Sequence, residues 1–137
     1  MILADTSAWI EYIRGTESPV HQRLRDLVLG ADQLVVTEPV LMEVLGGARN
    51  DDSETALRRL LLRCDFVPFL SATDFEGAAA VYRHCRASGV TPRGFVDCMI
   101  ATVARRVGAT VLAHDVDLAR IASVIGLELD PASLAAS

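Results

Sequence analysis

The feature that most constrains this chain is how short its strand-like runs are and how regularly helical stretches separate them. Ile2-Leu3-Ala4, Leu34-Val35-Val36 and Thr110-Val111-Leu112-Ala113 are brief apolar segments, and one or two stretches of helical periodicity follow each. Strands apolar on both faces belong inside a sheet covered on both sides. Their alternation with helices predicts an α/β fold with a mainly parallel central sheet and helices over both faces. In such sheets ligands bind beyond the carboxyl ends of the strands, where the strand order reverses.

Local signals set the expected boundaries. Thr6 or Ser7 caps a helix running through Trp9 to Arg14, and Gly15 stops it. Ser18-Pro19 opens a second helix, whose Val20, Leu24, Leu27 and Val28 repeat at helical spacing. Pro39 starts a third, through Leu45, closed by Gly46-Gly47. Ser53 to Arg63 is helical, with Leu57, Leu60 and Leu61 on one face. Phe66-Val67-Pro68 reads as a short strand at a sheet edge, because proline donates no ladder bond. Thr73-x-x-Glu76 reads as a capping box for a helix to Arg86. Helices over Phe95–Val107 and Leu118–Val124 flank the strand at Thr110, and Leu127-Glu128-Leu129 is a candidate last strand.

At 137 residues the chain is expected to form one domain over 1–137, with a peripheral tail from about 130 to 137. No run of about 18 apolar residues is present. The opening Met1-Ile2-Leu3-Ala4-Asp5 lacks the basic start of a secretory signal, so the expected setting is cytoplasmic, away from membranes. Cys64, Cys85 and Cys98 fall at no metal-ligand spacing. The net charge is −5, and every one of the 13 basic residues is arginine. An acidic chain is poorly suited to coating DNA without specificity. Contact with nucleic acid then requires clustered arginines or a bound cation. The absence of lysine argues against a phospho-accepting receiver domain. No G-x-x-x-x-G-K loop is present, and Asp5 is followed by Thr6-Ser7 rather than a D-x-D pair, which disfavours P-loop and dehalogenase-like phosphatase chemistry.

Four acids stand where local structure does not call for them. Asp5 ends the first strand and Asp115 follows the strand at Thr110. If those strands are neighbours, both carboxylates enter one crevice; capping the next helix is the alternative use of each. Asp97 lies in the first turn of its helix and shares a row with Ile100, Ala101 and Ala104, where a carboxylate is costly unless paired or metal-bound. Glu43 sits among apolar neighbours in Val40-Leu41-Met42-Glu43-Val44-Leu45, and Asp117 follows Asp115 by two residues. Such a carboxylate set suits a hard divalent cation. A cation of that kind activates water for phosphodiester cleavage with no protein nucleophile.

These motifs resemble those of the PIN-domain proteins, and within them the VapC toxins of bacterial toxin–antitoxin pairs. The resemblance rests on Asp5-Thr6-Ser7-Ala8-Trp9-Ile10-Glu11-Tyr12, on Met42-Glu43-Val44-Leu45-Gly46-Gly47, on Asp97-Cys98-Met99-Ile100-Ala101 and on Asp115-Val116-Asp117-Leu118. It implies a three-layer α/β/α fold and endonucleolytic RNA cleavage dependent on Mg2+ or Mn2+. By the same resemblance Asp5, Glu43, Asp97 and Asp115 are the catalytic acids, and Asp5, Asp97, Asp115 and Asp117 hold the metal. It further implies a homodimer and inhibition by a VapB-like antitoxin. Two positions depart from the family pattern: Leu118 replaces a common aromatic, and His114 stands where a small polar residue is usual.

Arg93, about one turn before Asp97, is a candidate phosphate contact, and Ser7 a candidate contact at the metal or substrate. Arg58-Arg59-Arg63 and Arg83-Arg86 are candidate basic patches. Trp9, Ile10 and Ile13 are candidates for a groove that takes an antitoxin segment. The competing reading is a module that binds RNA or protein without cutting, on a relic acidic site.

Overall fold

The structure is a computed structural model and describes residues 1–134. Its elements, in order, are β1 (Ile2–Ala4), α1 (Thr6–Arg14), α2 (Pro19–Leu29), β2 (Leu34–Val36), α3 (Glu38–Gly46), α4 (Asp51–Leu61), β3 (Asp65–Phe66), α5 (Ser71–Ala87), α6 (Phe95–Val107), β4 (Thr110–Leu112) and α7 (Val116–Ile125). The four strands form one parallel sheet in the order β3-β2-β1-β4. The α/β class and parallel sheet expected from the alternation are what the chain adopts. Among the described residues no helix is long and apolar enough to cross a membrane.

The topology explains the layers. From β1 the chain steps outward to β2 and then β3, and from β3 it returns past β1 to β4. Parallel crossovers are right-handed, so steps in opposite directions lay their helices on opposite faces. Helices α1, α2, α3 and α4 pack in one series, and α5, α6 and α7 in another. Between them Leu3, Val35, Val36, Val111 and Leu112 are fully buried, which is why each strand is a continuous apolar run.

The reversal falls between β1 and β4, which pair as Ile2↔Thr110, Leu3↔Val111 and Ala4↔Leu112. The Asp5 N–H then donates to the Leu112 carbonyl at 2.9 Å, so the two strand ends that carry Asp5 and Asp115 are adjacent.

Several boundaries differ from expectation for local reasons. Helix α1 is capped by Asp5, not by Thr6 or Ser7: its carboxylate accepts the Ser7 N–H at 3.1 Å. Helix α4 begins at Asp51, two residues before the expected Ser53, because Asn50 accepts the Ser53 N–H at 2.8 Å and so supplies the cap. Helix α5 begins at Ser71, ahead of the expected Thr73 cap. Asp74 performs the reach-back instead, accepting the Leu70 N–H at 2.8 Å while Arg106 holds its carboxylate from α6. The third strand sits at the sheet edge as expected, but is Asp65–Phe66 and stops before Pro68. The candidate last strand contributes only a single bridge, Leu129 to Val111.

Residues 130–134 of the expected tail are tied down. Asp130 is buried and accepts from Arg23 Nε at 3.1 Å, and Ser133 Oγ accepts the Ala113 N–H at 3.1 Å. Residues 135–137 lie outside the described residues. Cys85 and Cys98 are buried and Cys64 half-buried; all three are free thiols.

Candidate active site

An open cleft of about 400 Å³ lies at the carboxyl ends of β1 and β4. Asp5, Glu43, Asp97 and Asp115 all line it, together with Ser7 and Arg93. Four separate elements deliver the acids. Asp5 caps α1, Glu43 lies on α3, Asp97 lies in the first turn of α6 and Asp115 caps α7. Capping and lining the cleft are compatible uses of Asp5 and Asp115. One carboxylate oxygen is spent on the helix N-terminus while the group stays at the strand end.

Asp5 is the most buried of the four and is held by a short relay. Ser7 Oγ donates to Asp5 Oδ2 at 2.6 Å and accepts the His114 N–H at 2.9 Å, so a single hydroxyl ties α1 to the loop before α7. The other oxygen, Oδ1, is buried with no hydrogen-bond partner. Glu43, on the exposed side, accepts from Thr6 Oγ1 at 2.6 Å. That tie between α1 and α3 has no signature in the sequence.

Burial lifts the Asp5 carboxyl to about 6 against the opposing pull of the Ser7 hydrogen bonds. Asp97 rises further, to about 7, first through burial and then through the charges of Asp5, Asp115, Glu43 and Asp117. A group that feels four other carboxylates stands at the centre of the negative charge.

One cation is already present. Arg93 Nη2 stands 2.7 Å from both oxygens of Asp115, and Arg93 Nε lies 3.5 Å from Asp117. Asp117 is buried and absent from the cleft wall; its Oδ2 accepts the Arg93 N–H at 3.2 Å. Asp117 thus anchors the loop that carries the guanidinium. Among the described residues, no three carboxylate, histidine or cysteine groups are already closed around one ion position. Arg93 claims Asp115 instead. The residues nonetheless suit a hard divalent cation. The donors are all carboxylate oxygens, one of them an acceptor with nothing donated to it, and their mutual repulsion has to be offset.

A PIN domain matches residues 2–124. Ribonuclease VapC11 of Mycobacterium tuberculosis is 40% identical over 129 residues, which is 93% of this chain and 96% of the relative. The chain belongs to the VapC ribonucleases of the PIN-domain family. Its fold agrees with solved toxin–antitoxin structures. VapBC2 from Rickettsia felis, bound to a DNA fragment from the promoter of the pair, superposes with a TM-score of 0.75 at 16% identity, over 98% of this chain and 99% of that one. A toxin–antitoxin complex from Klebsiella pneumoniae superposes with a TM-score of 0.70 at 18% identity, over 98% and 96% of the two chains.

Within this VapC-family fold, one expected surface residue is placed elsewhere. Trp9 is fully buried and packs the core, edge-on to Tyr12 at 5.9 Å between ring centres. Ile10 and Ile13 are exposed, and they line a second groove of about 460 Å³ with Arg14, Val44, Arg49 and Leu57. This groove shares Ile10 and Glu43 with the acidic cleft, so the two are continuous.

Proposed function

We propose that this chain is a cytoplasmic endoribonuclease, the toxin of a toxin–antitoxin pair, that cuts RNA with a divalent cation, Mg2+ or Mn2+, held at the acidic cleft. The observation that carries this reading is the convergence of Asp5, Glu43, Asp97 and Asp115 from four elements onto one cleft at the β1/β4 reversal. Asp5, Asp97 and Asp115 are the carboxylates that would hold the cation. When bound, it supplies an activated water and offsets charge on the phosphodiester.

The residues of the chain have distinct parts. Ser7 fixes Asp5 through Oδ2, leaving Oδ1 as the unpartnered acceptor. Asp97, lifted to about 7, is only partly ionised near neutral pH, and a bound cation would favour its charged form. Glu43, exposed beside Thr6, is placed to accept a proton at the cleft mouth. Arg93 is placed to leave Asp115 for a phosphate oxygen, guided by Asp117. Asp117, the further carboxylate expected at the metal, also holds Arg93 in place beside the cleft.

The same reading supplies partners. The substrate is RNA, named for the similar VapC11 ribonuclease. A VapB-like antitoxin is the expected inhibitor and a homodimer the expected assembly, by likeness to the VapC toxins. The exposed Ile10 and Ile13 of the groove offer an apolar anchor beside the acids.

The test is RNA cleavage by the pure chain across a titration of Mg2+ and Mn2+, then with excess chelator. Cleavage that appears with metal and stops with chelator is the expected result. Undiminished cleavage in chelator refutes the metal. RNA binding without cleavage under every metal condition favours the competing module that binds but does not cut.

A further inference from the structure

Beyond the acids, an exposed aromatic group stands between two residues that line the cleft. Phe95 opens α6 and is 57% exposed, although the helix buries its inward row through Cys98, Ile100 and Ala101. It is not loose. Its ring stacks on Tyr82 of α5, with centres 4.6 Å apart and planes 29° from parallel. The Arg86 guanidinium lies 5.9 Å from the centre of the Tyr82 ring. One face of Phe95 is therefore fixed by Tyr82, and its exposure leaves the other face open.

The position of this shelf ties it to the cleft. The residues on either side of Phe95, Gly94 and Val96, both line the cleft, and Asp97 follows less than a turn later. Residues two apart on a helix point to nearly opposite sides. Asp97 thus faces the acids while Phe95 leans over the rim towards α5. Gly94, which precedes Phe95 and lines the cleft, has open space beside it: a side chain there would meet nothing within 4 Å. The Arg86 guanidinium over Tyr82 puts positive charge beside the shelf, in a chain that is acidic overall.

We propose that the Phe95–Tyr82 pair is a stacking shelf for one base of single-stranded RNA, next to the phosphodiester held at the acids. This rests on the ribonuclease reading. A flat, preorganised aromatic face with arginine beside it and a phosphate site within a turn is the pattern that binds unpaired bases without regard to their identity. Duplex RNA keeps its bases stacked inside and does not offer one to such a shelf. The preference is therefore for loops and single strands.

The experiment measures anisotropy of a fluorescein-labelled single-stranded RNA with the full chain in excess chelator, so that nothing is cut. Phe95→Ala and Phe95→Leu are expected to weaken binding by about tenfold. Phe95→Trp is expected to hold it within about twofold. Equal binding by wild type, the alanine and the leucine variants overturns the shelf, as does a wild-type chain that fails to bind. If the alanine variant does not fold, the leucine variant, which keeps apolar packing on Tyr82, decides alone. A loss of antitoxin affinity with RNA affinity unchanged also overturns it, and assigns the aromatic pair to the protein partner. Cleavage with added metal is followed in parallel. Tight, Phe95-dependent binding without any cleavage leaves the shelf standing and refutes the ribonuclease reading. Cleavage unchanged by loss of Phe95, with RNA affinity also unchanged, does the reverse.

Discussion

Arg93 and Asp115 face each other at the mouth of the cleft, with one guanidinium nitrogen 2.7 Å from each carboxylate oxygen. The arginine occupies the direction from which a cation would approach that acid. Arg93→Ala is expected to tighten Mn2+ binding severalfold by calorimetry, because Asp115 loses a competing positive charge. The same variant is expected to raise the KM for RNA, because the phosphate contact goes with it. An unchanged Mn2+ affinity would show that the contact does not compete with the metal.

Asp97 links the charge of the site to stability. In the folded chain the Asp5 and Asp97 carboxyls titrate near 6 and near 7. The folded state thus holds more protons than the unfolded state between about pH 4 and pH 7. Stability without metal falls as pH rises through that window, and the penalty is absent below it and complete above it. Asp97→Asn removes the largest share. Its metal-free melting temperature is expected to exceed wild type by about 3–5 °C at pH 8, with the gap closing towards pH 4. Cleavage by this variant is expected to fall on the order of 100-fold or more. Failure of the Asp97→Asn chain to fold would instead make Asp97 structural.

Ser7 is expected to act on the reaction through Asp5. Ser7→Ala removes the hydroxyl hydrogen bond to Asp5 Oδ2, leaving only the backbone N–H on that oxygen, and strands the His114 N–H, at a cost of about 1–2 kcal/mol in stability by urea denaturation. The turnover rate is expected to drop about tenfold with the KM for RNA little changed, because orientation of one acid is lost and RNA contact is kept. A rise in KM with the rate preserved would make Ser7 a direct RNA contact.

The groove beside the cleft tests the antitoxin. Ile10→Glu and Ile13→Glu place charge on exposed apolar positions and are expected to leave the fold intact. Each is expected to weaken the toxin–antitoxin complex about tenfold or more by calorimetry. A partner arginine reaching the acids would also relieve their repulsion. Its change to alanine is expected to restore cleavage within an otherwise intact complex; a complex still fully inhibited would mean that the antitoxin works by covering the RNA path.

The sequence by itself determined the class of fold and the four cleft acids. Strands such as Leu34-Val35-Val36 are apolar without alternation, and Asp97 stands on an apolar helical row; both are local violations of solvation that a buried sheet and a charged site explain. Local patterns resolved helix ends only to within about three residues, because caps compete. Asp5, Asn50 and Asp74 took roles that neighbouring serines and threonines were equally able to fill. Tertiary structure alone decided that Trp9 is core while Ile10 and Ile13 are groove, since one helix face meets the sheet and the next does not. It alone revealed Thr6 on Glu43, Ser7 between Asp5 and His114, and Arg93 on Asp115. Those contacts join residues 37, 107 and 22 positions apart. No local pattern encodes them, because they form only when the parallel sheet brings distant loops and helix starts to one end.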